Sequence, residues 1–204
     1  MLVRSPGSNT GTGAQTSTTL IGSISAVVQT ADSDHAVIAT RVAETNSTRA
    51  TLIDIVGGGQ VGSTVNLAGA QYHAVQSAGA GHLLVTTYIA NSSGTNIVNS
   101  LVSVIDTATG AQTGSTLTLA GRADRPPLVS ADGTRALVAN NAGTAVILNT
   151  ATGGQTGATF TLTGEPQDFQ LLTADGSRVL ITTVDGSDLT GFTTRAAVFD
   201  TASG

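Results

Sequence analysis

Residues 130–164 read SADGTRALVANNAGTAVILNTATGGQTGATFTLTG. An Asp-Gly turn at Asp132 and Gly133 leads into the apolar run Ala136–Ala139, and a polar Asn-Asn-Ala-Gly stretch separates this from a second run, Ala145–Leu148. A glycine-bearing turn then precedes an alternating third run that closes at Gly164. Short runs of Val, Ile, Leu and Thr between clusters of Gly, Asn and Asp are the pattern of strands joined by hairpins, because β-branched side chains suit a pleated surface.

Approximate copies of this stretch account for most of the 204 residues. Aligned on the first turn, the copies begin ADSDHAVIAT at Ala31, AGAGHLLVTT at Ala78, ADGTRALVAN at Ala131 and ADGSRVLITT at Ala174, at intervals of 47, 53 and 43 residues. That spacing fits four-stranded propeller blades. A short run precedes each turn (ISAVVQT, YHAVQS, PPLVS, DFQLLT) and forms the inner strand; ATLIDI, LVSVIDT, AVILNT and AAVFDT form the third strands. The outer strands are GSTVNLAG from Gly62, GSTLTLAG from Gly114 and GATFTLTG from Gly157. No segment carries a sustained 3.6-residue apolar stripe, so an all-β chain with almost no helix is expected.

The expected architecture is one all-β β-propeller domain over 1–204, built of four-stranded antiparallel blades at about 24–69, 70–121, 122–164 and 165–204. Residues 1–12 read as a flexible leader. The last copy stops at VFDTASG, and the continuation it lacks appears at Ala14, Gln15 and Thr16, so a strand over 13–23 is expected to complete the last blade. Ring closure of this kind removes exposed sheet edges. The same matching ends would arise from whole repeats of a larger propeller, so the four blades form a closed ring or part of a bigger one.

ADGTRALVAN with VILNTATG, and ADGSRVLITT with VFDTASG, resemble the repeats of the Tyr-Val-Thr-Asn class of bacterial β-propellers. The resemblance covers nearly the whole chain after Gly13, although Leu137 and Leu180 stand where the class carries its tyrosine. It implies a surface or exported scaffold, with lactonase-like enzymes as a minority. The bias to Thr, Ser, Gly and Ala points the same way, toward a secreted or cell-surface protein.

Composition narrows the function classes. A formal charge of −5 with 10% charged residues gives no basic footprint for nucleic acid. With no cysteine there is no disulfide framework and no thiolate metal site. No apolar run approaches the roughly 20 residues that span a bilayer as a helix.

Several apparent motifs dissolve into the repeat. Gly57, Gly59 and Gly62 spell G-x-G-x-x-G, yet strand-like STVNLAG follows where a dinucleotide site needs a helix N-terminus. Asp54, Asp106, Asn149 and Asp200 share one repeat position and read as turn formers, as do Asp32, Asp132 and Asp175. His35, His82, Arg135 and Arg178 share another, read as solvated side chains beside the turn. The oxygen-rich Asp185, Gly186, Ser187 and Asp188 lack the ladder and closing Glu of an EF-hand loop. No metal or cofactor site is expected.

The connection between second and third strands is short in the third blade, near Asn140–Thr144, and enlarged in the others as RVAETNSTR, YIANSSGTNIVNS and VDGSDLTGFTTR. These loops emerge at the same end as the links between blades, and loops on a rigid scaffold are where binding groups concentrate. The candidate binding residues are therefore Tyr72, His73, Tyr88, Asn91, Arg122, Asp124, Arg125, Glu165, Asp168, Asp185 and Asp188. The function expected is non-catalytic binding of a protein or glycan partner. The alternative is a hydrolase or lactonase working at the central channel, with His73 and nearby carboxylates.

Overall fold

The computed structural model describes residues 17–71, 76–77, 81–91, 93–94, 96–187 and 191–202. They form sixteen strands in four antiparallel sheets, with no helix among the described residues. The first sheet runs β1 (Ser23–Gln29), β2 (His35–Val42), β3 (Ser47–Asp54) and β4 (Gln60–Ala68), each strand paired with the next. In the second, the short β5 (Ala70–Gln71) and β6 (Gln76–Ser77) both pair with β7 (His82–Ala90), followed by β8 (Ile97–Asp106) and β9 (Gln112–Ala120). The third is β10 (Leu128–Val129), β11 (Arg135–Ala139), β12 (Thr144–Asn149) and β13 (Gln155–Thr161). The fourth is β14 (Glu165–Leu172), β15 (Arg178–Ser187) and β16 (Gly191–Asp200). Its outer strand, β16, is exposed along nearly all its length. Residues 17–22 carry no strand, and residues 13–16 of the expected closing strand lie outside the described residues.

The second and third sheets are apolar on both faces because each is sandwiched between two neighbours. In a strand successive side chains point to opposite faces. Leu137 and Ile147 therefore face the fourth sheet, in a core with Phe160, Val179 and Ile181, while Val138 and Leu148 face the second, with Leu84, Val102 and Val104. Val37 and Leu52 of the first sheet pack on Leu83, Val85 and Ile105 of the second. The Phe160 and Phe199 rings, 4.9 Å apart, continue the junction of the third and fourth sheets. Continuous apolar runs such as AVIL at 145–148 are thus the mark of strands buried on both sides.

The outer strands repeat one further device. The register of β3 with β4, β8 with β9 and β12 with β13 shifts at equivalent places, between Ala50 and Leu52, Val102 and Val104, and Ala145 and Ile147. Across from each shift a glycine takes positive φ, 63° at Gly62, 63° at Gly114 and 70° at Gly157. A Cβ on any of the three would overlap the backbone oxygen of Thr109, Thr152 or Thr201 in the turn of the next sheet. Adjacent sheets meet there backbone to backbone, which only glycine permits.

The enlarged connections are largely strand. β15 extends to Ser187 and β16 begins at Gly191, and β7 and β8 pair outward from His82 and Asp106 to Ala90 and Ile97. The alternating side chains of these stretches let the ladder continue outward, so extra length becomes projecting ribbon. The third sheet stays low, its hairpin turning between Ala139 and Thr144.

Candidate functional site

The low third sheet beside the taller second one creates a step at the loop end, and a cavity of about 310 Å³ occupies it. Tyr88, Ala90, Gly94, Asn96 and Ile97 of the β7–β8 ribbon form one side, with Arg122 from the link between sheets and Asn141 from the β11–β12 turn opposite. A smaller recess continues toward the fourth sheet, lined by Asp124, Arg125, Asn140, Asn141, Glu165 and Pro166 among others. Asn141 is common to both.

The floor is fixed by reciprocal bonds. Arg122 N–H donates to Asn141 Oδ1 at 2.9 Å and Asn141 N–H donates to the Arg122 carbonyl at 2.8 Å. Ser100, itself buried, donates to the Gly121 carbonyl at 3.0 Å and accepts from Ala123 N–H at 2.8 Å. Asn140 Nδ2 reaches the Ala120 carbonyl at 2.5 Å, while its Oδ1 accepts from Ala142 and Thr144 N–H. The link at 120–123 is thereby clamped between two sheets, and the Arg122 side chain leaves from a rigid base. Its guanidinium is paired with Asp124, which stands 18% exposed.

Of the expected binding residues, the structure brings Tyr88 and Arg122 to the larger cavity and Asp124, Arg125 and Glu165 to the smaller. Asn91 sits at the ribbon tip, where its Oδ1 accepts from the Ser93 hydroxyl at 2.9 Å and Asn96 N–H at 3.2 Å. This is turn chemistry. Asp185 lies apart, on the β15–β16 ribbon, 3.4 Å from Arg195. Asp168 lies in β14 with its side chain outside those described, and Tyr72, His73 and Asp188 lie outside the described residues. Among the described residues no group of three His, Asp or Glu side chains is placed to hold a metal ion.

Asn96 and Asn141 escaped the sequence reading. The signal for Asn141 was the contrast in length itself: a short hairpin beside long ones must leave a step.

The opposite end is a set of turns held by side chains. Val56 and Gly57 N–H donate to Asp54 Oδ1, Ala108 and Thr109 N–H to Asp106, Ala151 and Thr152 N–H to Asn149, and Ala202 N–H to Asp200. Asn serves as well as Asp because the bond needs only an oxygen acceptor. At the first turn, Ser177 N–H, the Thr173 hydroxyl and the Ser177 hydroxyl hold the Asp175 carboxyl at about 2, below its ordinary 3.8. The Thr30 hydroxyl chiefly lowers Asp32, and the Ser130 hydroxyl chiefly lowers Asp132. For Asp106, burial raises the value, but bonds from Thr109 and Ala108 and the neighbouring His82 outweigh it.

One expectation about this end is corrected. Arg135 is no solvated side chain: its guanidinium crosses to the fourth sheet, donating to the Gly176 carbonyl at 3.0 Å and the Thr201 hydroxyl at 2.5 Å. Its counterpart His82 has a buried Nδ1 with no hydrogen-bond partner. The slot lies at the sheet-to-sheet junction, so a long side chain there bridges to the neighbour. His35 instead faces Asp32, 3.2 Å away.

The sheets, their order and their face-to-face stacking define a β-propeller. Solved structures agree at the level of the fold. The chain is similar to a eukaryotic initiation factor (TM-score 0.54, 18% identity, 88% of this chain and 41% of that one). It is similar also to the tricorn protease (TM-score 0.52, 14% identity, 88% and 16%). The β-propeller domain of the Trilobed protease from Pyrococcus furiosus, described as having an open velcro topology, matches with TM-score 0.50 and 10% identity over 88% of this chain and 55% of that one. The chain thus spans about half or less of these structures. No protein-family model matches it. No curated protein matches it in sequence.

Proposed function

We propose that this chain is a non-catalytic propeller scaffold that binds a protein or glycan partner at its loop end, in the cavity between the second and third sheets. One observation carries the reading: Tyr88 and Asn96 of the β7–β8 ribbon, Arg122 of the link between sheets and Asn141 of the β11–β12 turn converge there. A phenol ring, a guanidinium and two carboxamides offer a flat stacking surface ringed by hydrogen-bonding groups, which suits a hydroxyl-rich or amide-rich ligand. Rigid sheets beneath and a clamped link keep these groups in place without the partner's help. The resemblance of the repeats to the Tyr-Val-Thr-Asn class supports export or surface display in a bacterium.

The test is a glycan array and a cross-linking screen of surface extract with the intact chain, followed by calorimetry on any hit. Tyr88→Ala and Arg122→Ala should each weaken binding by about 5-fold or more, as truncation of a central aromatic or Arg anchor does. Binding that survives both substitutions places the partner elsewhere on the molecule.

A further inference from the structure

Every sheet presents one face forward, to the next sheet, and one backward. The forward row is Val37 with Leu52 in the first sheet, Leu84 with Val104 in the second and Leu137 with Ile147 in the third, each pair directly opposite across the strands. All six are 0 or 1% exposed, covered by the following sheet. The same row in the fourth sheet is Leu171, Leu180 and Val198, again in register. Here Leu171 is 66% and Val198 63% exposed.

The backward face shows the converse. Val85, Val138 and Ile181 occupy one repeat position and are at most 1% exposed, sealed by the preceding sheet. Their counterpart in the first sheet, Ile38, is only half-buried, and its cross-strand neighbour Val27 is 44% exposed. Ile53, equivalent to the buried Ile105 and Leu148, is likewise half-buried. Among the described residues, the two ends of the array are therefore the unmated halves of one contact that the chain makes with itself at each internal junction.

We propose that a second copy of this chain covers both ends, the fourth sheet of each copy docking on the first sheet of the other, so that two arcs close an eight-sheet ring about a two-fold axis. The occupant is argued from continuity. A second copy carries both complementary faces, repeats a junction already formed between sheets three and four, and leaves no end face exposed. An arc matching 55% of the length of a propeller domain leaves room for one more of the same size. Both junctions are heterologous in surface yet closed by symmetry. The ring sets two loop-end cavities of the kind described above on one rim, which goes beyond the single-chain binding reading and does not depend on it.

The experiment is size-exclusion chromatography with light scattering, over a range of concentrations, on the chain and three preparations derived from it. The unmodified chain should run at twice its 20.2 kDa. Leu171→Asp with Val198→Asp should weaken association by about 100-fold or more and give the single-chain mass, with an unchanged circular dichroism spectrum because both side chains are already exposed. Val27→Asp should do the same from the other end. Mixing the two variants regenerates one junction with both faces intact, so the double mass should return in part. A chain that stays at single mass at every concentration overturns the proposal, as does open-ended growth. A dimer indifferent to both variants also overturns it, pointing instead to pairing along the exposed edge of β16.

Discussion

Replacing Gly114 with alanine tests whether the sheets are stacked as tightly as their repeated glycine contact implies. Gly114 has φ of 63°, and a Cβ there would overlap the Thr152 carbonyl oxygen of the next sheet. Gly94 is the matched control: its φ is 71°, and a Cβ there would meet nothing within 4 Å. The left-handed conformation costs alanine about 1–2 kcal/mol at either site, and the loss of unfolded-state freedom, about 0.4–1 kcal/mol in the other direction, is common to both. Their difference therefore isolates the inter-sheet overlap. Forcing a methyl into a filled space costs about 1–3 kcal/mol. For a chain of this size a difference of about 2 kcal/mol lowers the thermal midpoint by about 4–8 °C more for Gly114→Ala than for Gly94→Ala. Gly62→Ala and Gly157→Ala make the equivalent contact and should behave like Gly114→Ala. Urea melts of the variants read the difference directly. If Gly114→Ala and Gly94→Ala agree within about 0.5 kcal/mol, the usual tolerance of such comparisons, the sheets are not in backbone contact and the stacking argument fails.

Ser33 stands where the third and fourth copies carry Gly133 and Gly176, and it adopts their conformation, φ 65° against 72° and 65°. Ser33→Gly should therefore stabilise the first sheet by about 1 kcal/mol, seen as a raised urea midpoint; a lowered midpoint would mean that the Ser33 side chain makes a bond worth more than the backbone strain. Acid should weaken the fold through the first-turn carboxylates. Asp175 is held at about 2 when folded against an ordinary 3.8, so between these values the unfolded chain binds the extra proton. Its contribution is complete above pH 4 and lost as pH falls toward 2. Asp175→Asn should flatten the stability profile in that window, and an unchanged slope would show that the Ser177 and Thr173 bonds do not discriminate the ionised form.

The repeat made the fold legible because a propeller solves the same packing problem in every blade. Leu137 and Val138 face opposite neighbours, and so do Leu84 and Val85; a run apolar on both faces, recurring at blade spacing, leaves few other architectures. The Asx turns at Asp54, Asp106 and Asn149 were readable for the same reason, since a position that takes either Asp or Asn asks for an acceptor oxygen and not a charge. What the repeat hid was anything formed between copies. Arg135 and His82 share a slot by alignment, and averaging them suggested a solvated position, whereas Arg135 reaches Thr201 of the next sheet. A single-copy alignment has no coordinate for that direction.

The cavity at the step is likewise formed between copies, and in the sequence only the contrast in loop length hints at it. Tyr88, Arg122 and Asn141 come from one ribbon, one link and one short turn, and none is unusual within its own copy. They meet because the β7–β8 ribbon extends past a neighbour whose hairpin closes at Thr144. The step is thus set by the difference in strand length between adjacent blades, not by any motif. Lengthening the β11–β12 hairpin to match its neighbours would remove the step while leaving every core contact in place. The cavity and the stacking of the sheets are separable properties of the chain.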